Sequence, residues 1–158
     1  MIMPTPPAAL RFEPRDPIWE EKVRASFARQ GAMALIGAEL TDITPGRCEI
    51  RMPYRLDLTQ QHGYFHAGII STAVDSAAGY AGFSLMAPNS SVLSVEFKIN
   101  LLAPGDGELL IATGEVIKAG KTLVIARGDA YVVKNGKTTH CATMQQTLMT
   151  MHGKADMS

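Results

Sequence analysis

Surplus charge is the first thing this sequence lacks. Its 158 residues carry 15 Lys and Arg against 15 Asp and Glu, a formal net charge of zero. No global basic field is available to gather a polyanion, which argues against nucleic acid as the main partner. A chain so balanced also suits self-association. Cysteine is nearly missing: Cys48 and Cys141 are too few and too far apart for a disulfide scaffold or a zinc module. They read as reduced, buried residues of a cytoplasmic protein. No uninterrupted apolar run is present either. The longest, residues 67–86, is broken by Ser, Thr, Asp75 and glycines, so no membrane span is expected. The start, MIMPTPPAALRFEPRDP, has no basic segment leading into an apolar one, and no secretory signal is expected. A soluble protein of one domain, long enough for a real core, is the expectation.

Proline and glycine punctuate the chain. Pro4, Pro6, Pro7 and Pro14 predict a mobile or extended arm over residues 1–15. A single domain is expected over 16–150, with a frayed tail over 151–158. Asp16 is placed to cap a helix with Pro17 at its first position, Glu20 and Glu21 in its first turn, and a stripe of Trp19, Val23 and Phe27. Gly31 marks its end. Residues 37–43 and 47–54 read as strands about a Pro45–Gly46 turn. A loop over 55–65 leads to a helix over 67–86, stopped by Pro88–Asn89. Beyond it Leu93, Val95, Phe97, Ile99 and Leu101 alternate with Ser94, Glu96, Lys98 and Asn100, a period of two. Strands over 108–118, 122–133 and 138–150 follow, separated by Pro104–Gly105–Asp106, Ala119–Gly120 and Asn135–Gly136.

Hairpin turns this short make antiparallel neighbours, so a doubly wound parallel sheet is excluded. The one long helix is apolar almost all round and must be buried on several sides. An α+β architecture follows: a curved antiparallel sheet wrapped around that helix, with an N-terminal helix beside it. Its uncovered face or edge predicts a homo-oligomer.

The stretch QQHGYFHAGIISTAVDSAAGYAGFSLM, residues 60–86, holds the candidate chemistry. Asp75 is the only carboxylate among small and apolar neighbours, where an ionised group is costly. Gly68, Ser71, Thr72, Asp75, Gly79 and Gly82 recur at spacings of three and four, a stripe of small and polar residues. Two readings of Asp75 stand at this point: a general base or nucleophile beside a ligand, or a structural acid bonded to a neighbouring hydroxyl or amide. The unpaired amides of Ala67 and Gly68 at the helix start favour a developing negative charge. Gly63 and Gly68 let backbone approach a ligand, although turn chemistry alone also explains such glycines. His62 and His66 are four apart, yet Gly63 separates them and a loop or capping role accounts for both; no metal is expected.

Gln60, Gly63, His66, Gly68 and Asp75, in the pattern Q-x-x-G-x-x-H-A-G-x-x-x-x-x-x-D, resemble the signature of hotdog-fold acyl-CoA thioesterases. The nearest type is similar to the phenylacetate-degradation (PaaI-like) and hydroxybenzoyl-CoA thioesterases. The resemblance extends over residues 18–150 and implies a hotdog fold. It implies Asp75 as base or nucleophile, the Ala67 amide as oxyanion donor, and Gln60 positioning water or polarising the thioester. His66 would hold the loop and carbonyl, and Ser94 would bond the water or substrate. Gly63, Gly68 and Thr72 would line the substrate. Lys118, Gly120 and Lys121 would meet the nucleotide end of coenzyme A, although lysines flanking a tight turn also serve solubility. One position departs from the pattern: Ala67 stands where His-Gly-Gly has its first glycine, which narrows the space above that amide.

The resemblance therefore implies hydrolysis of a CoA thioester to free acid and coenzyme A, with no cofactor besides the coenzyme A of the substrate. Alternatives are a non-catalytic acyl-CoA-binding or ligand-sensing protein on the same fold, and a hotdog hydratase. Tyr64, Phe65, Tyr80 and Phe83 either line an aryl pocket or pack the core. The resemblance implies a dimer or dimer of dimers, in which Asp75 of one chain is expected to face Gln60 and His66 across or beside a subunit boundary.

Overall fold

A computed structural model describes residues 11–156. Most of the predicted arm therefore lies outside the described residues, as do positions 157–158 of the tail. Residues 11–15 form neither helix nor strand, but they are laid down on the body. Phe12 packs against the core, and Arg15 donates to the Gly120 carbonyl at 3.3 Å. The elements run α1 (Trp19–Arg29), α2 (Gly31–Ile36), β1 (Glu39–Thr44), β2 (Arg47–Pro53), a 3-10 turn (Leu56–Leu58), α3 (Ala67–Phe83), β3 (Ser90–Leu101), β4 (Leu109–Ala119), β5 (Leu123–Lys134) and β6 (Lys137–His152). Six antiparallel strands form one sheet in the order β1-β2-β4-β5-β6-β3. This is the expected hotdog arrangement.

α3 is helical for tertiary reasons. Three glycines and several β-branched residues make it a poor helix former, each interior glycine costing about 1 kcal/mol relative to alanine. Burial compensates: α3 packs against β2, β3, β4, β5 and β6, and every residue from Ala73 to Phe83 except Asp75 is buried. The closest approach is at Gly114 of β4 and Gly128 of β5, which face each other across the ladder. A Cβ on Gly114 would lie 2.3 Å from the Ala77 carbonyl oxygen, and one on Gly128 would lie 2.4 Å from Val74. Two missing side chains let the helix backbone rest on the sheet.

Several boundaries differ from expectation. α1 starts at Trp19 because Asp16 completes the turn before it: its carbonyl accepts from the Trp19 amide at 3.2 Å and its carboxylate from the Ile18 amide at 3.1 Å. Asp16 also pairs with Lys22 at 2.8 Å, and Lys22 reaches the carbonyls of Met86 and Ala87, tying α1 to the far end of α3. The second helix, α2, was hidden by its length of one and a half turns. Gly37, expected as the first residue of a strand, instead closes α2 in the left-handed region at φ +70°. α3 ends at Phe83, where Ser84 turns its hydroxyl onto the Ala81 carbonyl and accepts from the Gly46 amide, both within 2.8 Å. β6 continues past Thr150 to His152, and Asp156 pairs with Arg29 at 2.7 Å, so the described part of the tail is tied to α1.

The correction that matters most for the site lies in β3. A bulge between Ser94 and Glu96 breaks the expected period of two. Ser94 pairs with inward-facing Leu148, and Phe97, Ile99 and Leu101 pair with Gln146, Met144 and Ala142. Antiparallel partners share a face. Ser94 therefore looks toward α3, while Glu96, Lys98 and Asn100 look outward.

Candidate active site

The bulge delivers Ser94 to Asp75. The Ser94 hydroxyl donates to Asp75 Oδ1 at 2.7 Å. The same oxygen accepts from Nε2 of Gln146, which also donates to Ser94 Oγ at 2.8 Å. Gln146 is 1% exposed, and its own Oε1 has no partner among the described residues. Exchanging its oxygen and nitrogen would set a carbonyl against a carboxylate, so this orientation is the one compatible with an ionised Asp75. Asp75 Oδ1 is thus held from two strands, and Oδ2 has no hydrogen-bond partner among the described residues. Nothing marked Gln146 as functional in sequence. The available signal was its phase: Ala142, Met144 and Leu148 set the inward period of β6, and Gln146 is the large polar side chain on it.

The second cluster sits at the start of α3. His66 is the N-cap, with its Nδ1 accepting from the Gly68 amide at 2.9 Å. That contact fixes Nε2 as the other, outward-facing nitrogen. The Ala67 amide has no acceptor among the described residues. Ala67 is not among the residues with positive φ, so alanine is compatible with the backbone there. Gly63 needs its glycine: it turns the Gln60–Phe65 loop at φ +80°, with its carbonyl held by the Tyr54 hydroxyl at 3.2 Å. The Gln60 side-chain carbonyl accepts from the His62 amide, leaving its NH₂ as the free end. Thr72 spends its hydroxyl proton on the Gly68 carbonyl at 2.8 Å. Of the aromatic candidates, Phe65, Tyr80 and Phe83 are buried core residues.

One chain does not join these clusters. Asp75 lies eight residues along α3 from Ala67, about 12 Å of helix rise. The lysine turn is farther still. Gly120 closes the β4–β5 hairpin by donating to Leu123, with Lys118 and Lys121 exposed on either side. This hairpin is at the Ser84 end of α3, since Val116 bonds Gly46 and Gly46 bonds Ser84.

Beside Asp75 a cavity of about 270 Å³ opens between α3 and α1. Gly79 and Tyr80 line it from α3, Ser26 from α1, Gln30 from the junction of α1 and α2, and Val92 from β3. A Cβ on Gly79 would meet nothing within 4 Å, so this glycine leaves room beside the carboxylate. Among the described residues no cluster of His, Cys, Asp or Glu is arranged to hold a metal ion, and no helix is long and apolar enough to cross a membrane.

The chain resembles known proteins over much of this region. The Thioesterase superfamily model matches residues 62–142. A thioesterase family protein of Silicibacter pomeroyi, known from a crystal structure, is 51% identical, with a TM-score of 0.85 over 85% of this chain and 99% of that one. The PaaI protein of the E. coli phenylacetic acid degradation operon is 18% identical with a TM-score of 0.76, over 86% of this chain and 95% of that one, a likeness of fold. A 1,4-dihydroxy-2-naphthoyl-CoA hydrolase of Listeria monocytogenes is 27% identical over 92 residues, 58% of this chain and 75% of that protein. The chain spans just under two thirds of the length of two archaeal relatives, 66% in Halobacterium salinarum and 64% in Saccharolobus solfataricus.

Proposed function

The chain belongs to the thioesterase superfamily, and from that premise we propose that it hydrolyses an acyl-CoA thioester to the free acid and coenzyme A. The observation that carries this reading is the tethered carboxylate: Asp75 Oδ1 held by Ser94 and Gln146, Oδ2 free beside a cavity. Oδ2 takes a proton from a water molecule as that water attacks the thioester carbon, or Oδ2 attacks that carbon itself to form a mixed anhydride, which water then hydrolyses to the free acid and the regenerated Asp75 carboxylate. In either case the carbonyl oxygen gains charge and the carbon–sulfur bond breaks, with the sulfur leaving as the thiol of coenzyme A after protonation. An amide donor aimed at that oxygen is worth about 10²–10³ in rate. Ala67 offers one, and the N-cap contact of His66 holds the loop that presents it. Gln60 directs its NH₂ to the water or the thioester oxygen, with Gly63, Gly68 and Thr72 bordering the thioester. Lys118, Gly120 and Lys121 take the nucleotide end of coenzyme A.

A carbonyl carbon must lie about 3 Å from its attacker while its oxygen lies about 3 Å from its donor. The 12 Å of helix rise between Asp75 and Ala67 rules out that arrangement within one chain. The reading therefore includes a homodimer in which Asp75 of one protomer faces Gln60, His66 and Ala67 of the other. The edge strand β3 supports it, because it exposes Leu93, Val95, Phe97 and Leu101 next to Ser94. A dimer of dimers extends the same assembly. Two free, buried cysteines fit a cytoplasmic enzyme. The test is Asp75→Asn: the variant folds and assembles as the parent does but releases almost no thiol from acyl-CoA. Parental turnover in that variant would end the mechanism.

A further inference from the structure

Cys48, Ile50 and Met52 take the buried face of β2, and Tyr54 follows in the same phase, one residue past the strand's end at Pro53. Its amide donates to the Glu108 carbonyl at 2.8 Å, so the backbone beneath the ring is fixed to the chain entering β4. The ring meets Phe65 edge to face, with centroids 5.6 Å apart and planes at 77°. Phe65 is itself buried, and its amide donates to the Gly105 carbonyl at 2.9 Å. Phenylalanine at position 54 would keep every one of these contacts. What tyrosine adds is a hydroxyl, and that hydroxyl donates to the Gly63 carbonyl at 3.2 Å.

The bond lands on a turn that is otherwise closed on itself. The Gln60 amide donates to the Tyr64 carbonyl at 2.9 Å, the Gly63 amide to the Gln60 carbonyl at 3.0 Å, and the His62 amide to the Gln60 side chain. Residues 60–64 are thereby joined into one piece. Among the described residues, the Tyr54 hydroxyl is the one hydrogen-bonding group outside 60–64 that bonds to any of them. The next residues are pinned separately, Phe65 by Gly105 and His66 by an amide bond to the Leu58 carbonyl at 3.0 Å. Two groups assigned to the thioester are therefore supported in different ways. The Ala67 amide is part of α3 and keeps its place with the helix. The free NH₂ of Gln60 rides on the turn, and the turn is tilted by Tyr54.

We propose that Tyr54 is a positioning residue: its hydroxyl sets the tilt of the 60–64 turn, and through it the place of the Gln60 NH₂ at the thioester or its attacking water. This role rests on the thioesterase reading for what Gln60 does. Tyr54 itself touches no substrate. Loss of its hydroxyl should misplace Gln60 while Asp75 and the Ala67 amide stay where they are.

The test compares the full chain with Tyr54→Phe, Gln60→Ala and the double variant. A displacement of about 1 Å at a positioned group costs up to about 100-fold. Tyr54→Phe, which loosens the turn without removing it, should lower kcat by about tenfold and change KM by less than about twofold. In the Gln60→Ala background the same substitution should change kcat by less than about twofold, because the turn no longer carries a group to misplace. Parental kcat in Tyr54→Phe overturns the proposal. So does an equal loss with and without Gln60, which would make the hydroxyl a part of the fold alone. Hydrogen exchange read by mass spectrometry should show faster exchange over 60–64 in Tyr54→Phe, with β4 unchanged. If the thioesterase reading itself fails, the parent releases no thiol from any ester. Exchange then decides, as it does where Gln60→Ala turns over too slowly to compare, and parental exchange over 60–64 overturns the tether.

Discussion

Replacing Gly114 with alanine puts a methyl group where the back of α3 already is. The new Cβ would stand 2.3 Å from the Ala77 oxygen, 2.4 Å from its carbonyl carbon and 2.5 Å from the Ala78 nitrogen. Ordinary contact begins near 3.4 Å, so helix and sheet must part by the difference from 2.3 Å, about 1 Å. All three atoms are backbone, so no side chain can swing aside. Gly114 is not among the residues in the left-handed region, which leaves the clash as the whole effect. Overpacking of this kind costs about 1–3 kcal/mol, and each kcal/mol lowers Tm by about 2–4 °C in a chain of this size. Ala77 is two residues from Asp75, so the same displacement moves the carboxylate and should cost about 100-fold in kcat. Gly79→Ala is the control. Its Cβ meets nothing within 4 Å, and alanine inside a helix gains up to about 1 kcal/mol over glycine. Urea unfolding followed by circular dichroism, with thiol release on the same samples, should show the two substitutions moving stability in opposite directions. If Gly114→Ala unfolds at the parental midpoint with parental turnover, the helix does not rest on this glycine and the reasoning fails.

Gln146→Leu removes one tether from Asp75 and also the unpartnered Oε1, so stability should change by less than about 1 kcal/mol while kcat falls by about tenfold to 100-fold; undiminished kcat would leave Gln146 with a packing role. Phe97→Glu places a charge on the exposed inner face of β3 and should convert the proposed dimer to an inactive monomer in size-exclusion chromatography; an active monomer would contradict a shared site. Burial pushes the Asp16 carboxyl up, but the Lys22 ammonium and the Ile18 amide outweigh it and leave it below the usual range. Its contribution is therefore present above about pH 4 and lost as pH falls through the lowered value. Asp16→Asn should flatten that acid limb of the unfolding curve, and an unchanged limb would show that other groups set it. Lys22→Met strands a buried carboxylate and should cost about 3 kcal/mol at pH 7 by urea unfolding; a loss of only a few tenths would mean the pair is effectively solvated.

Most elements were legible because the signals are local. The stripe of Trp19, Val23 and Phe27, the Pro45–Gly46 and Asn135–Gly136 turns, and the start of α3 each depend on a few neighbouring residues. Departures arose where a distant partner decided. Asp16 is turned toward Lys22, and α2 is too short for its period to register. His66 as N-cap was readable, since its ring is fixed by an amide two residues on.

By itself the sequence determined the family, the single buried helix, the antiparallel hairpins and the candidate acid, because those follow from residue types, spacing and periods of two and 3.6. Only the tertiary structure decided what touches that acid. Gln146 is 71 residues from Asp75, and Ser94 reaches it only because a bulge at Val95 resets the face of β3. The separation of Asp75 from Ala67, and the hydrogen-bonded cluster of Ser26, Gln30 and Tyr80 lining the cavity, are equally matters of packing. Periodicity tells which face a side chain takes. Which residue it meets there depends on how helix and sheet settle on each other, and in this protein two facing glycines set that position.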